Sequence, residues 1–258
     1  MFNFRNTTIV FTILALLLMI LLFSGIYVHY FYFLVLSIVY LVILFTASFF
    51  IESGFYMNAI CKRETRFKVV ALTFDDGPDP ESTPLMLDIL KDRAKATFFC
   101  IGKKIDGNEE LLKRMNDEGH LIGMHSYSHS NWFSFFTPSR IKSELQKTEN
   151  KISGVIGKKP LLFRPPFGVI NPSIKKALSF FPYHVIGFNN RSLDTVINDK
   201  KKIILKIMNH LEPGNIILFH DTVANAPDLL KSFLTAVSDK GYIVVCLDEM
   251  LNIQAYEE

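Results

Sequence analysis

Between Arg5 and Glu52 the chain carries no Lys, Arg, Asp or Glu. Two apolar runs fill that interval, residues 9–25 (IVFTILALLLMILLFSG) and residues 30–51 (YFYFLVLSIVYLVILFTASFFI). A bilayer core takes about 20 apolar residues of helix, so each run is long enough to span it. The only break between them is Ser24-Gly25-Ile26-Tyr27-Val28-His29. Residues 1–51 therefore read as a transmembrane hairpin, with spans at about 8–25 and 30–51. Tyr27, Tyr30 and Tyr32 fall where aromatic rings favour the membrane–water interface. A cleaved signal peptide is the alternative for the first run. Against it, only Arg5 supplies a positive flank, and no small-x-small site follows.

The remainder has the composition of one ordinary domain. Residues 52–65 read as a linker and residues 66–258 as the domain. Over the whole chain 28 Lys and Arg stand against 25 Asp and Glu, a formal net charge of +3. Near-neutrality without a basic stripe does not imply nucleic acid, and none is expected as a partner. Cys61, Cys100 and Cys246 are odd in number, far apart and form no C-x-x-C, so they imply no disulfide framework. Cys100 and Cys246 lie in apolar, strand-like runs and read as plain buried residues.

Strand and helix patterns alternate along the domain. Short apolar runs at 68–72, 96–101, 120–124, 161–163, 184–188, 215–219 and 242–247 read as strands. Between them, 84–93 reads as a helix with Thr83 as its N-cap. Helices are also expected at 109–119, 138–152, 172–178, 200–211 and 227–240. Such alternation implies a parallel sheet of the α/β class. Periodicity alone leaves an open sheet and a barrel equally allowed.

Polar motifs follow several of these strands. Asp75 and Asp76 stand where the first strand ends, and Gly77-Pro78 forces a turn after them. Side chains of neighbouring residues on an extended backbone point opposite ways. At a strand terminus both can still reach one cleft, one carboxylate holding a metal and the other handling a proton. His125-Ser126-Tyr127-Ser128-His129 sets two imidazoles four residues apart, which on a helical turn share a face. Arg164-Pro165-Pro166-Phe167-Gly168, Ser192-Leu193-Asp194 and Ile217-Leu218-Phe219-His220-Asp221 complete the series. All lie at the C-terminal ends of strands, the rim that carries chemistry in barrel-type α/β folds.

These five blocks, in this order, resemble the polysaccharide deacetylases of carbohydrate esterase family 4, the NodB homology domain. The resemblance covers roughly residues 66–250. It implies a distorted, incomplete (β/α) barrel, here preceded by the two-helix hairpin, and a bacterial cell-membrane protein. It also implies hydrolysis of N-acetyl groups on the amino sugars of a polysaccharide, whether peptidoglycan, chitin-like or exported glycan, with release of acetate.

Amide hydrolysis needs an activated water, a stabilised oxyanion and a proton for the leaving amine. Two His and one carboxylate on a divalent cation leave positions open, as in catalytic sites. Asp76, His125 and His129 are the expected ligands. The cation would be zinc, with cobalt, nickel or manganese as alternatives. By the resemblance, Asp75 is the general base, and Arg164 pairs with it and keeps it ionised. His220 is the general acid, oriented and kept protonated by Asp194. The backbone N–H of Phe167 faces the oxyanion, and Leu218 lines a pocket for the acetyl methyl. The sequence departs from the family pattern at Phe167, often Tyr, and at Arg191 and Thr195, where Asp and Trp are usual. The sugar-binding wall is therefore expected to differ. Phe188 is a possible replacement in that wall, with core packing the commoner use of such a residue. Trp132, Phe133, Phe135 and Phe136 fit either a sugar- or membrane-facing lip or a loop tucked on the core.

Two other functions are compatible with these residues. One is a deacylase or deformylase of a lipid-linked amino sugar, working at the membrane with lipid as a partner. The other, from a different class, is a non-catalytic carbohydrate-binding membrane protein. Arg5, Lys62, Arg63 and Arg66 flank the hairpin, and by the positive-inside rule both ends face the cytoplasm. Family members that act on cell wall work outside, so the side of the membrane is left open.

Overall fold

The structure, a computed structural model, describes residues 3–257. Helices α1 (Phe4–Phe23) and α2 (Tyr30–Ala47) are long and apolar enough to cross a membrane. They pack on each other through Thr8 and Tyr40, whose hydroxyls lie 2.9 Å apart, and through the Phe11 and Tyr40 rings.

The second apolar run does not all belong to the second helix. That helix ends at Ala47, and Ile51 begins a single 3-10 turn, Ile51–Ser53, with its side chain buried in the domain core. The run extends past the helix because its last residues serve a different hydrophobic interior. For the same reason 52–65, expected as a linker, is packed. Phe55, Tyr56 and Cys61 are buried, Ile60 bridges to Ile186, and Lys62 bridges to Asn215. The backbone N–H of Phe4 donates to the carbonyl of Phe55, and the Tyr56 hydroxyl donates to the carbonyl of Leu44. The foot of the hairpin is thereby fastened to the domain.

The domain is a curled parallel sheet with helices outside it, a half-barrel. Its strands are β1 (Val69–Asp75), β2 (Thr97–Cys100), β3 (Leu121–Met124), β5 (Leu162–Phe163), β6 (His184–Val185), β7 (Asn190–Arg191), β8 (Ile216–His220) and β9 (Ile243–Val245). Between β3 and β5, β4 (Lys159–Pro160) pairs antiparallel with β10 (Tyr256–Glu257) as a separate ribbon. The order across the sheet is β6-β5-β3-β2-β1-β8-β7, with β9 beside the start of β1. Strand β1 is central and buried on both faces, which its continuous apolar run requires. Side chains alternate. Val70, Leu72 and Phe74 point out toward the helices, while Ala71 points in with Phe99, Leu162, Ile186 and Ile216. Leu247 and Met250 close the inner cluster at one end. They come from a short helix, Leu247–Leu251, that follows β9 after Cys246 and replaces the end of the strand expected over 242–247.

Between the strands lie helices α3 (Ser82–Leu90), α4 (Glu109–Asp117), α5 (Pro138–Ile156), α6 (Pro172–Leu178), α7 (Lys200–Asn209) and α8 (Ala226–Asp239). Thr83 is not the cap of α3. It sits inside the first turn, and its hydroxyl donates to Asp221 Oδ2 at 2.7 Å. The N-cap position falls on Glu81, which makes no side-chain cap; two residues earlier Asp79 Oδ1 accepts from the backbone N–H of Glu81 and of Ser82.

The packed 52–65 segment meets the base of the sheet at Gly214. That residue has φ +76°, its N–H donates to the Val69 carbonyl, and its carbonyl accepts from Arg63. A Cβ there would stand 1.7 Å from the Arg63 carbonyl oxygen. Gly214→Ala is expected to destabilise the protein by about 1–3 kcal/mol or more, from backbone strain plus the clash. The denaturation midpoint of the full chain measures it. An unchanged midpoint would mean that this contact is not fixed in the folded protein.

Candidate active site

Strand β1 carries Ala71, Thr73 and Asp75 on its inner face. At the closed end that face is apolar; toward the C-terminal rim it becomes polar. Asp75 and His220 are paired neighbours on β1 and β8, so both strands deliver a functional residue at the same level. Strand β3 ends at Met124 and hands on to His125, and β5 ends at Phe163 and hands on to Arg164.

Arg164 is fully buried. Its Nη1 donates to Asp75 Oδ1 and to Thr73 Oγ1, each at 2.8 Å, and its Nη2 donates to the Gly187 carbonyl at 2.9 Å. Its guanidinium also lies over the Phe99 ring, 4.1 Å from the centroid. Burial alone would raise the Asp75 pKa. The Arg164 charge, then His125 and His220, then the Arg164 hydrogen bond, outweigh burial and hold it below the usual carboxylate range. Burial also lowers the Arg164 pKa, against the opposing pull of Asp75.

Asp76 has φ +77°. This left-handed backbone solves the problem of adjacent carboxylates on an extended chain, because it turns the second one into the cleft of the first. Asp75 Oδ2 lies 3.8 Å and Asp76 Oδ1 3.6 Å from the same atom, His125 Nε2. His129 Nε2 lies 3.3 Å from Asp76 Oδ1. One ligand atom each from Asp76, His125 and His129 fall within 4.8 Å of one another. The two imidazoles do not reach this arrangement on a helical turn. Residues 125–129 form a loop with Ser126 at φ +62° and His129 at φ +44°, and the rings lie 5.0 Å apart.

Two features fit this trio to a divalent cation. Asp76 Oδ1 is buried without a hydrogen-bond partner, the condition of an oxygen reserved for a ligand. His125 Nδ1 lies 2.8 Å from the Arg164 carbonyl, which can only accept. Nδ1 therefore carries the proton, and the Nε2 lone pair faces the trio, as in metal-binding histidines. Burial first, then the neighbouring His125, pushes the His129 pKa down to about 4, against the pull of Asp76 and Asp75. The neutral form is the one that ligates.

On the far side, one carboxylate holds His220 twice. Asp194 Oδ2 accepts from the His220 backbone N–H at 2.8 Å, and Asp194 Oδ1 accepts from Nδ1 at 2.7 Å. Burial lowers the His220 pKa, but the Asp194 hydrogen bond and the charges of Asp194, Asp75 and Asp76 outweigh it, and the net direction is upward. All nine residues singled out in the sequence thus lie at one end of the half-barrel. Seven of them, with Phe188, Arg191 and Thr195, line a single cleft of about 190 Å³, while Arg164 and Asp194 stand behind it. Phe188 therefore contributes to the wall. Phe167 is half exposed, at φ +61°, with its ring 4.8 Å from that of His129. The aromatic loop divides: Phe133 and Phe136 are buried, Trp132 and Phe135 exposed.

Two supporting carboxylates were not anticipated. Glu144 of α5 is buried, and its Oε2 accepts from the backbone N–H of Tyr127 and of Ser128 and from the Ser128 hydroxyl. Its signal in the sequence is an acid on the apolar stripe of Ile141, Leu145 and Ile152. Asp221 is fully buried behind the Asp75-Asp76 turn; a Cβ on Gly77 would stand 2.1 Å from its Oδ2. Chiefly through burial, its pKa is raised to about 7. His120 lies apart, its Nδ1 accepting from the Ala96 backbone and its ring edge-on to Phe98.

The family model described as polysaccharide deacetylase matches residues 62–186. Over 212 residues the chain is 31% identical to the peptidoglycan-N-acetylmuramic acid deacetylase PdaA of Bacillus subtilis (strain 168), covering 78% of this chain and 80% of that relative. This chain belongs to the polysaccharide deacetylase family. It is also 32% identical over 192 residues to the peptidoglycan-N-acetylmuramic acid deacetylase PdaC of the same organism, covering 74% of this chain but only 40% of that longer relative. Among solved structures it is similar to the Bc1960 peptidoglycan N-acetylglucosamine deacetylase, with a TM-score of 0.72, 30% identity, and coverage of 77% of this chain and 95% of that one.

Two outcomes follow from the site's ion pairs. Arg164→Met leaves the Asp75 carboxylate buried and uncompensated, at an expected cost of about 3–5 kcal/mol, read from the denaturation midpoint. A loss below about 1 kcal/mol would mean that the pair is solvated. Asp194→Asn removes the principal partner that holds the His220 proton. The His220 imidazole is then expected to titrate at lower pH than in the unaltered protein, followed by NMR. An equal or higher value would assign that proton to another group.

Proposed function

We propose that this protein is a metal-dependent N-deacetylase of amino-sugar glycans, held at a bacterial membrane by its N-terminal hairpin. One observation carries the reading. The Asp76–His125–His129 trio, the Arg164–Asp75 pair and the Asp194–His220 pair converge on one cleft.

The reaction adds water to the acetamide and releases acetate and a free amine. Asp75, ionised through Arg164, takes a proton from the attacking water. His220, charged and oriented by Asp194, gives a proton to the departing nitrogen. The N–H of Phe167 faces the oxyanion, and Leu218 floors the acetyl methyl. Asp76, His125 and His129 hold the divalent cation, zinc first among the candidates, which when bound supplies Lewis acidity toward carbonyl oxygen and water. Arg191 and Thr195 at the cleft wall, with Phe188 beside them, give the sugar a different surface from the usual family pattern. A lipid-linked amino sugar is the second reading, favoured by the largely apolar groove that Phe45, Phe49, Phe135, Phe167 and Val169 line beside the cleft.

Asp75→Asn keeps the shape of the site and removes the base. It is expected to lower kcat on an N-acetylglucosamine oligomer by about 10²–10⁴-fold, measured as acetate released. Chelation should abolish turnover, and added zinc should restore it. Full activity of Asp75→Asn would sink the assignment. Glycan binding without acetate release, across several metals, would favour the non-catalytic reading.

A further inference from the structure

The catalytic cleft has an apolar neighbour. A groove of about 500 Å³ lies between the end of α2 and the rim of the half-barrel. Phe45 and Phe49 come from the hairpin side, Phe135 from the aromatic loop, and Phe167 and Val169 from the loop after β5. None of its lining residues is charged. Phe167 lines both spaces, so the groove and the catalytic cleft share a wall. The junction is fixed, since the Ile170 N–H donates to the Ser48 carbonyl and Asn171 Nδ2 donates to the Ser134 carbonyl.

The other end of the groove continues into apolar surface. Phe45 in the last turn of α2, and Phe49 and Phe50 just past it, are each more than half exposed, and α2 has no buried residue in its apolar window. Phe135 and Trp132 extend that surface over the rim, 75% and 69% exposed. Rings so placed are costly in water and suit the interface of a bilayer. Ser48, Asn131, Ser134 and Asn171 add uncharged polar groups at the edges of the groove, but the rings of Phe45, Phe49, Phe135 and Phe167 with Val169 make it chiefly apolar, and it opens onto the exposed rings of the helix end. That continuity suits a hydrocarbon chain better than a sugar alone.

We propose that the groove holds the hydrocarbon chain of a lipid-linked amino sugar whose acetamide sits in the adjacent cleft. This rests on the deacetylase reading and names its substrate class. The chain would run along Phe45 and Phe49 and pass Phe167, leaving the sugar at Asp75 and His220.

The test uses the full chain in phosphatidylcholine nanodiscs and two probes. One is the soluble disaccharide of N-acetylglucosamine; the other is the same disaccharide with a dodecyl chain carrying a photoreactive diazirine. Phe49→Asp and Ser134→Trp alter the groove and leave the catalytic cleft untouched. The expected kcat/KM is about tenfold or more higher for the alkyl glycoside, a gain of about 1.4 kcal/mol. Both variants should lose that advantage and keep turnover of the soluble sugar. Equal kcat/KM for the two probes would overturn the proposal. Photolabelling gives a readout independent of turnover: peptides spanning 45–49 and 131–135 should be labelled, and less so in Ser134→Trp. Groove labelling without any acetate release would overturn the deacetylase reading and keep the groove. Equal labelling by a diazirine phosphatidylcholine would assign the groove to bulk lipid and overturn the proposal.

Discussion

The buried pair of Arg164 and Asp75 organises both the interior and the rim of the half-barrel. A guanidinium removed from water is costly unless its donors are satisfied. Here Asp75, Thr73, Ile186 and Gly187 satisfy them, and Phe99 covers one face. Strands β1 and β5 are not neighbours in the sheet; β2 and β3 lie between them. The pair therefore crosses the concave face, and the curl of the sheet brings its two ends together. The same residue also acts through its backbone. The Arg164 carbonyl fixes the tautomer of His125, so one position sets the charge of the base and the orientation of a ligand.

Around that pair the loops are held in conformations that L-residues seldom adopt. Asp76, Ser126, His129, Phe167 and Leu193 all have positive φ, each costing about 1–3 kcal/mol where the surroundings enforce it. They come from four of the five motif blocks. Asp76, His129 and Phe167 thereby line the cleft, while Ser126 and Leu193 bend the loops that carry His129 and Asp194. Buried partners supply the enforcement. Glu144 gathers the loop between His125 and His129, and Asp221 fills the space beneath Gly77.

The hairpin is not a free tether. Its foot is bonded to the packed segment at Phe55 and Tyr56, and its second helix ends against the loop that carries Phe167. The catalytic rim and the apolar helices consequently share one side of the molecule.

Much of this was legible in the residues. Alternating apolar runs and helix signals determined a parallel α/β sheet, because buried strands and amphipathic helices have different periods. The charge-free interval determined two helices of spanning length. The order of the motifs marked every residue that lines the cleft through chemistry. What only the tertiary structure decided depends on contacts distant in the chain. That 52–65 is packed follows from core positions supplied by the far end of the sheet. That Arg164 is wholly buried, and not an ordinary rim cation, follows from curvature across the strands β1, β2, β3 and β5. That His125 and His129 converge without a helix, and that Glu144 braces them, follows from backbone strain that local propensity disfavours and neighbouring elements impose. Sequence spacing measures distance along the chain, and the site is built from distances across it.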